Sequence, residues 1–306
     1  MPISPSARGR LLVLTAAILW STSGSFVKNI DVPDVAMAAI RALVAGSFMA
    51  AWVAMARVRL TWSWLMLPMM LCYMIMNYLF IGAVQRTTAA NVIFLQYTAP
   101  LWMFLGSVLL LGERADRRSL WCLTAGMIGI LVILIGHASE LASHGVGLMM
   151  GLTSGFFYGS VALFLRGLSS HDTAWLVAMN NLAAGMVLVV VFWVVGGDFA
   201  GWGIGGAEFG FLCLFGIAQL GIPYLVFGMG LRTISPQEAG LITLIEPVLN
   251  TWLTYVTAGE APSRSTIVGG AILLLSISLR YLPFKRIASP LWFGKERERT
   301  IADSDQ

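Results

Sequence analysis

A stretch of ten residues, Leu241-Ile-Thr-Leu-Ile-Glu-Pro-Val-Leu-Asn250, places a carboxylate (Glu246) and a proline (Pro247) inside a long apolar run. A second apolar run, Val92-Ile-Phe-Leu-Gln-Tyr-Thr-Ala-Pro100, carries a proline at the matching place. In both cases twelve residues separate the proline from a glutamate, Glu113 or Glu260. Two broken apolar segments at corresponding positions of two half-chains are typical of membrane transporters with a site at the breaks.

Composition agrees with a membrane protein. Of the 306 residues, 58% are hydrophobic and 11% are charged, and the mean hydropathy is +0.81. Soluble domains carry roughly 25% charged residues, so a single soluble core is excluded. Since one helical crossing takes about 20 apolar residues, we read ten spans. They cover residues 11–28, 35–56, 64–84, 90–110, 119–136, 146–165, 175–195, 208–230, 237–257 and 265–282.

Basic residues predict the orientation of these spans. With the N-terminus in the cytoplasm, fifteen of the 19 Lys and Arg residues fall on the cytoplasmic side. Lys28, Arg86 and Arg264 fall on the other side, and Arg41 lies inside a span. This positive-inside bias predicts a multi-pass protein with both termini in the cytoplasm. Residues 283–306 form a polar tail that we expect to be cytoplasmic.

The chain contains an internal repeat, with halves at residues 9–137 and 145–282. The aligned segments are Thr15–Trp20 with Thr153–Tyr158, Ile40–Gly46 with Met179–Gly185, Gln85–Thr88 with Leu231–Ile234, and the two proline breaks. Each half has five spans, and because five is odd the second half enters the membrane from the opposite face. The sequence therefore predicts an all-α protein of ten transmembrane helices in two inverted five-helix repeats, an architecture that supports alternating access.

These halves, with their Gly112-Glu113 and Gly259-Glu260 pairs, resemble the EamA-type ten-helix exporters of the drug/metabolite transporter superfamily. Within it the chain is most similar to YddG-type amino-acid exporters, through Trp20-Ser-Thr-Ser-Gly-Ser25, Asn77-Tyr78 and Gln96-Tyr97. The resemblance implies a bacterial inner-membrane carrier that moves amino acids out of the cell. Superfamily members that carry phosphorylated substrates are expected to hold Lys or Arg in the cavity, and this chain has no lysine at depth.

Glu246 is the charged residue most directly tied to function. It lies about nine residues into its span, or roughly 14 Å deep, where a carboxylate is costly unless it is paired, hydrated or protonated. It would either bind an ammonium group of the substrate or exchange a proton. The structural alternative is a hydrogen bond to backbone that Pro247 leaves unpaired.

A set of mid-span polar and aromatic residues is predicted to bind the substrate. It consists of Trp20, Ser21, Asn77, Tyr78, Gln96, Tyr97, Tyr158, Gln219, Tyr224, Glu246 and Asn250. Such a cavity would suit a neutral or zwitterionic organic solute. The alternative is that these side chains anchor at the interface or join helices. Pro100 and Pro247 are predicted hinges, each freeing a carbonyl four residues upstream.

Other features are expected to be structural. Arg41 would snorkel outward, pair with Asp34 or gate the outer mouth. Glu113 and Glu260, after their glycines, would serve in caps and loops. The sixth span has a glycine every fourth residue, from Gly147 to Gly159, which predicts close packing against another helix.

The remaining composition argues against catalysis. The three cysteines and three histidines have no metal-ligand spacing, and no Gly-rich phosphate-binding loop is present. We therefore expect no enzyme activity, metal, cofactor or nucleic-acid partner, and a monomer whose partners are the lipid bilayer and a small-molecule substrate. The predicted function is a secondary transporter, proton-coupled or facilitative, exporting amino acids, aromatic or other neutral ones among them, and related metabolites. The alternatives are an exporter of another small metabolite or drug, or a passive channel.

Overall fold

The computed structural model describes residues 4–111, 117–138, 141–194, 204–234, 239 and 242–281. Throughout these residues the regular structure is helical, without strands. The helices are α1 (Pro5–Trp20), α2 (Ser23–Lys28), α3 (Asp34–Met55), α4 (Met66–Arg86), α5 (Ala89–Gln96), α6 (Ala99–Leu111), α7 (Arg117–Gly136), α8 (Leu141–Gly167), α9 (Thr173–Val194), α10 (Gly206–Phe215), a π-helical segment (Gly216–Gly221), α11 (Ile222–Gly230), α12 (Ile245–Ala258) and α13 (Arg264–Tyr281). The predicted tail, residues 283–306, lies outside the described residues.

Six helical segments of the described chain are long and apolar enough to cross a bilayer. They are Pro5–Lys28, Asp34–Met55, Met66–Arg86, Ser143–Leu165, Thr173–Val194 and Gly206–Gly230. Shorter apolar helices accompany them at Leu120–Gly136 and Arg264–Leu279. The chain is thus a multi-pass membrane protein, with six long spans found here where the sequence predicts ten.

The outer surface of the helix bundle is apolar. Trp121, Trp193 and Leu109 are each at least 70% exposed on their helices, which suits contact with lipid tails. In the connection between α3 and α4, Trp62 and Trp64 are exposed and form an edge-to-face pair. Aromatic side chains beyond a helix end are typical of the membrane–water interface.

Helices α3 and α9, which correspond in the repeat, pack on each other reciprocally. A Cβ atom on Gly46 would lie 2.7 Å from the backbone nitrogen of Leu182, and one on Gly185 would lie 2.8 Å from that of Leu43. Gly46 and Gly185 are aligned in the two halves, so each glycine admits the other half's backbone. The centre of the bundle is therefore formed by both halves together.

The other close contacts also join the halves. Helix α4 packs along α8, α1 along α11, and α7 along α13. The glycine stripe of α8 gives the close approach that its spacing predicts. A Cβ on Gly155 would lie 2.7 Å from the Leu95 carbonyl oxygen, and one on Gly159 would lie 2.8 Å from that of Ala99. Small residues thus let α8 reach the backbone on both sides of the α5–α6 junction.

Candidate functional site

Four helical segments are interrupted at about the same place in the bundle. Helix α1 ends before Ser21-Thr22, and α5 ends before Tyr97-Thr98. The π-helical segment precedes α11, and Leu244 breaks the helix before α12. Each interruption frees backbone groups or turns side chains off the regular helical spacing. Inside a membrane such irregular backbone is tolerated where protein or a cavity satisfies it.

A cavity lies among these interruptions. Its lining residues are Trp20, Ser23, Arg41, Met76, Asn77, Phe80, Gln96, Tyr97, Tyr158, Gln219, Leu220, Tyr224 and Glu246. Eight of the eleven residues predicted to bind substrate are among them, and they come from both halves of the chain. The structure therefore brings most of the predicted set together, although sequence reasoning did not select Arg41, Ser23, Met76, Phe80 or Leu220.

Three predicted residues lie off the cavity wall, which corrects their placement. The Ser21 hydroxyl donates back to the Ile18 carbonyl, 2.6 Å away, at the end of α1. Tyr78 packs against the hydrophobic core, because one step from Asn77 turns a side chain by about 100° around a helix. Asn250 is buried and lies between α12 and α2.

Glu246 and Tyr97 form the acidic side of the cavity. The Tyr97 hydroxyl is 2.8 Å from Glu246 Oε2 and 2.8 Å from the carbonyl oxygen of Thr243. Thr243 is the residue whose carbonyl Pro247 deprives of its helical donor. The Tyr97 hydroxyl is thus placed to donate to the Thr243 carbonyl. The structural alternative for Glu246 is a hydrogen bond to this same stretch of backbone. A hydrogen bond from Glu246 to this carbonyl is therefore not required whenever Tyr97 donates to it.

The Tyr97 hydroxyl has only one proton for these two acceptors. With Glu246 ionised, Tyr97 donates either to the carboxylate or to the Thr243 carbonyl. With Glu246 protonated, the carboxyl donates to the Tyr97 oxygen and Tyr97 donates to the carbonyl, so both hydrogen bonds form at once. Glu246 can therefore keep its hydrogen bond to Tyr97 whether it is protonated or ionised. A group that exchanges a proton needs this property.

Arg41 lies on the cavity wall and is buried, with 3% of its surface exposed. Its Nε donates to Asn77 Oδ1 at 3.1 Å, Nη2 donates to the same oxygen, and Nη1 donates to Gln219 Oε1 at 2.9 Å. The guanidinium carbon stands 5.0 Å from the ring centre of Phe215 and 5.8 Å from that of Phe80. Two amides and two aromatic rings therefore hold Arg41 in place.

Of the three alternatives for Arg41, outward snorkelling and pairing with Asp34 are wrong, because Arg41 is buried on the cavity wall and Asp34 has another partner. Asp34 Oδ2 instead lies 2.5 Å from Arg86 Nη1 at the end of α4. Arg41 is two helical turns further along α3, where α4 and the π-helical segment enclose it. The cavity therefore carries a positive charge although no described lysine lines it, because Arg41 is on its wall.

Aromatic rings form the apolar part of the wall. Trp20 meets Tyr224 edge-to-face with ring centres 5.2 Å apart, and Phe227 packs on the same ring at 5.2 Å. These rings join the end of α1 to α11. They provide the apolar surface that an organic side chain would contact.

Helices α2 and α12 pack against each other beside the cavity, and we call their interface the α2–α12 contact. Asn250 Nδ2 donates to Ser23 Oγ at 2.8 Å, next to the cavity. Further along, Lys28 Nζ and Glu260 Oε1 form an ion pair at 2.5 Å. Glu260 Oε2 also accepts from the backbone N–H of Ala89, at the start of α5.

The expectation of a capping role for Glu260 therefore holds, and the ion pair adds a tie between the halves. Its repeat counterpart, Glu113, lies outside the described residues. In the described part of the chain no three His, Cys, Asp or Glu side chains cluster as metal ligands would.

Comparison with known proteins identifies the family. The model of the EamA-like transporter family matches residues 7–135 and again residues 145–282. The chain belongs to the EamA-like transporter family. An uncharacterized transporter of Archaeoglobus fulgidus is 27% identical to this chain over 204 residues, which are 66% of this chain and 70% of that one. The pseudopaline exporter CntI of Pseudomonas aeruginosa is 26% identical over 220 residues, 68% of this chain and 73% of that one.

A solved crystal structure has the same fold as this EamA-family chain. It superimposes with a TM-score of 0.64 at 21% identity, covering 89% of this chain and 96% of the other. The cavity described above therefore belongs to a membrane transporter of this family, with a wall formed by both family-matched segments.

Proposed function

We propose that this EamA-family transporter exports amino acids and related small metabolites across the bacterial inner membrane, as the YddG-type resemblance suggests. The observation that carries the proposal is the cavity itself. It lies at the interruptions of helices from both halves, and its wall combines aromatic rings with the Glu246 carboxyl. A carboxylate in such a wall binds an ammonium group, while the rings accept an apolar side chain.

Alternating access explains why the site lies between the halves. We infer ten spans in two inverted repeats, with cytoplasmic termini. In that topology the α2–α12 contact lies on the outer side, and we infer that it closes the cavity toward the outside. Export requires the contact to separate while another contact forms on the cytoplasmic side. Pro100 and Pro247, which follow the interruptions at Tyr97-Thr98 and at Leu244, are the proposed hinges.

The similarity to an exporter supports the direction of transport, although it does not define the substrate. We favour a carrier over a channel because the described cavity wall holds a single carboxylate, Glu246, beside two proline-broken helices. Carriers and channels also differ in a measurable way. A carrier that must return through its empty or loaded form is accelerated by substrate on the opposite side, whereas a channel is not.

Counterflow in liposomes tests the proposal. The purified protein is reconstituted with each of the twenty amino acids inside, and uptake of the labelled form is measured with and without a proton gradient. We expect stimulation by one group of amino acids, neutral and aromatic ones among them, and none in protein-free liposomes. Uptake without stimulation would indicate a channel, and no uptake of any amino acid would overturn the proposed substrate class.

A further inference from the structure

The two charged residues of the cavity are both departures from the internal repeat. Arg41 of the first half aligns with Asn180 of the second, and Glu246 of the second half aligns with Ala99 of the first. The repeat thus predicts a neutral residue at each position. Instead, one half contributes a cation and the other an anion to the wall of the same cavity.

Side chains of the protein hold Arg41 in place, and its guanidinium still has N–H groups available to a ligand. Three of its five N–H bonds have partners, on Asn77 and Gln219. The Asn77 amide is itself oriented, since its Nδ2 donates to the Ala38 carbonyl at 3.2 Å. Neutral amides do not neutralise a guanidinium, and within the described chain no carboxylate lies at ion-pair distance from it.

A buried charge without a counter-ion is costly, at roughly several kcal/mol in a low-dielectric interior. Glu246 is half-buried in the same wall, and its described partner is the neutral Tyr97, so its charge also lacks a counter-ion. The two charges lie on one cavity yet form no ion pair with each other. A solute with one negative and one positive group would supply both missing counter-ions.

We propose that Arg41 binds the carboxylate of the substrate while Glu246 binds its ammonium group, so that the cavity selects the zwitterion of an amino acid. This inference rests on the proposed function and specifies how the substrate is recognised. Guanidinium binds carboxylate with two parallel hydrogen bonds, and Arg41 has two N–H bonds to offer. The apolar side chain of the substrate then faces Trp20 and Tyr224.

Charge balance distinguishes this ligand from other anions. With Arg41 at +1 and Glu246 at −1, a zwitterion leaves the occupied cavity neutral. A phosphate monoester would add about two negative charges at neutral pH, leaving an uncompensated charge beside Glu246. An amine without a carboxylate would leave Arg41 unpaired, and a carboxylate without an amine would leave Glu246 unpaired.

Competition in the counterflow assay tests the assignment. The competitors are L-phenylalanine, its carboxamide, 3-phenylpropionate and phenyl phosphate, together with alanine and alaninamide. For the unmodified protein we expect an amino acid to compete at least tenfold better than its carboxamide. In Arg41→Gln this preference is lost because amino-acid affinity falls, while carboxamide affinity stays unchanged. In Arg41→Lys part of the preference returns.

Arg86→Gln is the matched control, because Arg86 is an arginine that pairs with Asp34 at the end of α4 and does not line the cavity. We expect it to keep the preference for the carboxylate. Equal loss of affinity for amino acid and carboxamide in Arg41→Gln and Arg41→Lys would show a merely structural arginine and overturn the inference. Should Arg41→Gln fail to fold, Arg41→Lys and the competitor series on the unmodified protein remain decisive, since a carboxamide that competes as well as its amino acid also overturns it. If no amino acid is transported at all, the proposed function fails. If amino acids are transported but compete no better than their carboxamides, only this inference fails.

Discussion

Replacement of Glu246 by glutamine separates its charge from its hydrogen bonds. The introduced amide would still donate to the Tyr97 oxygen, which lies 2.8 Å from Glu246 Oε2, while Tyr97 donates to the Thr243 carbonyl. Both hydrogen bonds and the side-chain volume are therefore preserved. We expect the free energy of unfolding to change by less than about 1 kcal/mol, since only a group of similar shape is exchanged.

Binding should change far more than stability. A hydrogen bond to a charged partner contributes about 1.5–3 kcal/mol, and 1.4 kcal/mol corresponds to tenfold in affinity. Glu246→Gln should therefore weaken amino-acid binding by roughly 10- to 150-fold. In the unmodified protein a protonated Glu246 cannot act as the counter-ion of an ammonium, so affinity should fall as pH is lowered. The variant side chain is neutral at every pH, so this dependence should be lost.

The assay is substrate counterflow in liposomes from pH 5 to 8, with thermal unfolding in detergent measured in parallel. Tyr97 and the cavity wall are unaltered in this variant, so a change in transport with unchanged unfolding reports on the charge of Glu246. An unaltered affinity and pH dependence in Glu246→Gln would refute a role for Glu246 in transport.

Three other changes test separate parts of the structure. Tyr97→Phe removes the hydroxyl that contacts two acceptors and should cost about 0.5–1.5 kcal/mol in unfolding free energy, with exposed Tyr255→Phe on α12 as a control that leaves it unchanged. Glu260→Gln keeps an acceptor for the α5 N-terminus but loses the ion pair with Lys28, worth about 0.2–1 kcal/mol. Amide hydrogen exchange in the first turn of α5 should therefore accelerate up to about fivefold. Unchanged exchange would show that the ion pair does not stabilise the α2–α12 contact. Gly155→Ala brings a Cβ within 2.7 Å of a carbonyl oxygen and should cost about 1–3 kcal/mol, whereas Gly228→Ala has open space and should not lower the melting temperature.

The position of the cavity was accessible from the sequence because its causes are local. Proline removes a backbone donor wherever it occurs in a helix, so Pro100 and Pro247 predict the interruptions, and the polar residues near them follow. That logic placed Tyr97 and Glu246 correctly on one wall. It failed at Tyr78, because a helical position off by one residue changes the face of the helix, and no sequence pattern gave the rotation of α4.

The position of Arg41 on the cavity wall could be found only from the packing of the helices. Seven residues from the helix start correspond to about 10 Å, a depth from which an arginine normally snorkels to the interface. Packing of α3 against α4 and the π-helical segment closes that route, and Asp34 is already paired with Arg86. The repeat nevertheless held a signal, since Arg41 aligns with Asn180 and so departs from the pattern as Glu246 does. An alignment of the halves read for its charged exceptions would have selected both residues.

The contacts of Tyr97 suggest how an occupied cavity influences the helix breaks. Tyr97 stands at the interruption before α6, and its hydroxyl reaches the carbonyl at the interruption before α12. It therefore connects the two proline-broken helices, one from each half, across the cavity. If an ammonium group neutralises Glu246 as proposed, the carboxylate would compete less for the Tyr97 proton, and the hydroxyl would then donate to the Thr243 carbonyl. Under the proposed function, this switch would link substrate binding to the break before Pro247 through a single proton, which is the property that a carrier needs and a static pore does not.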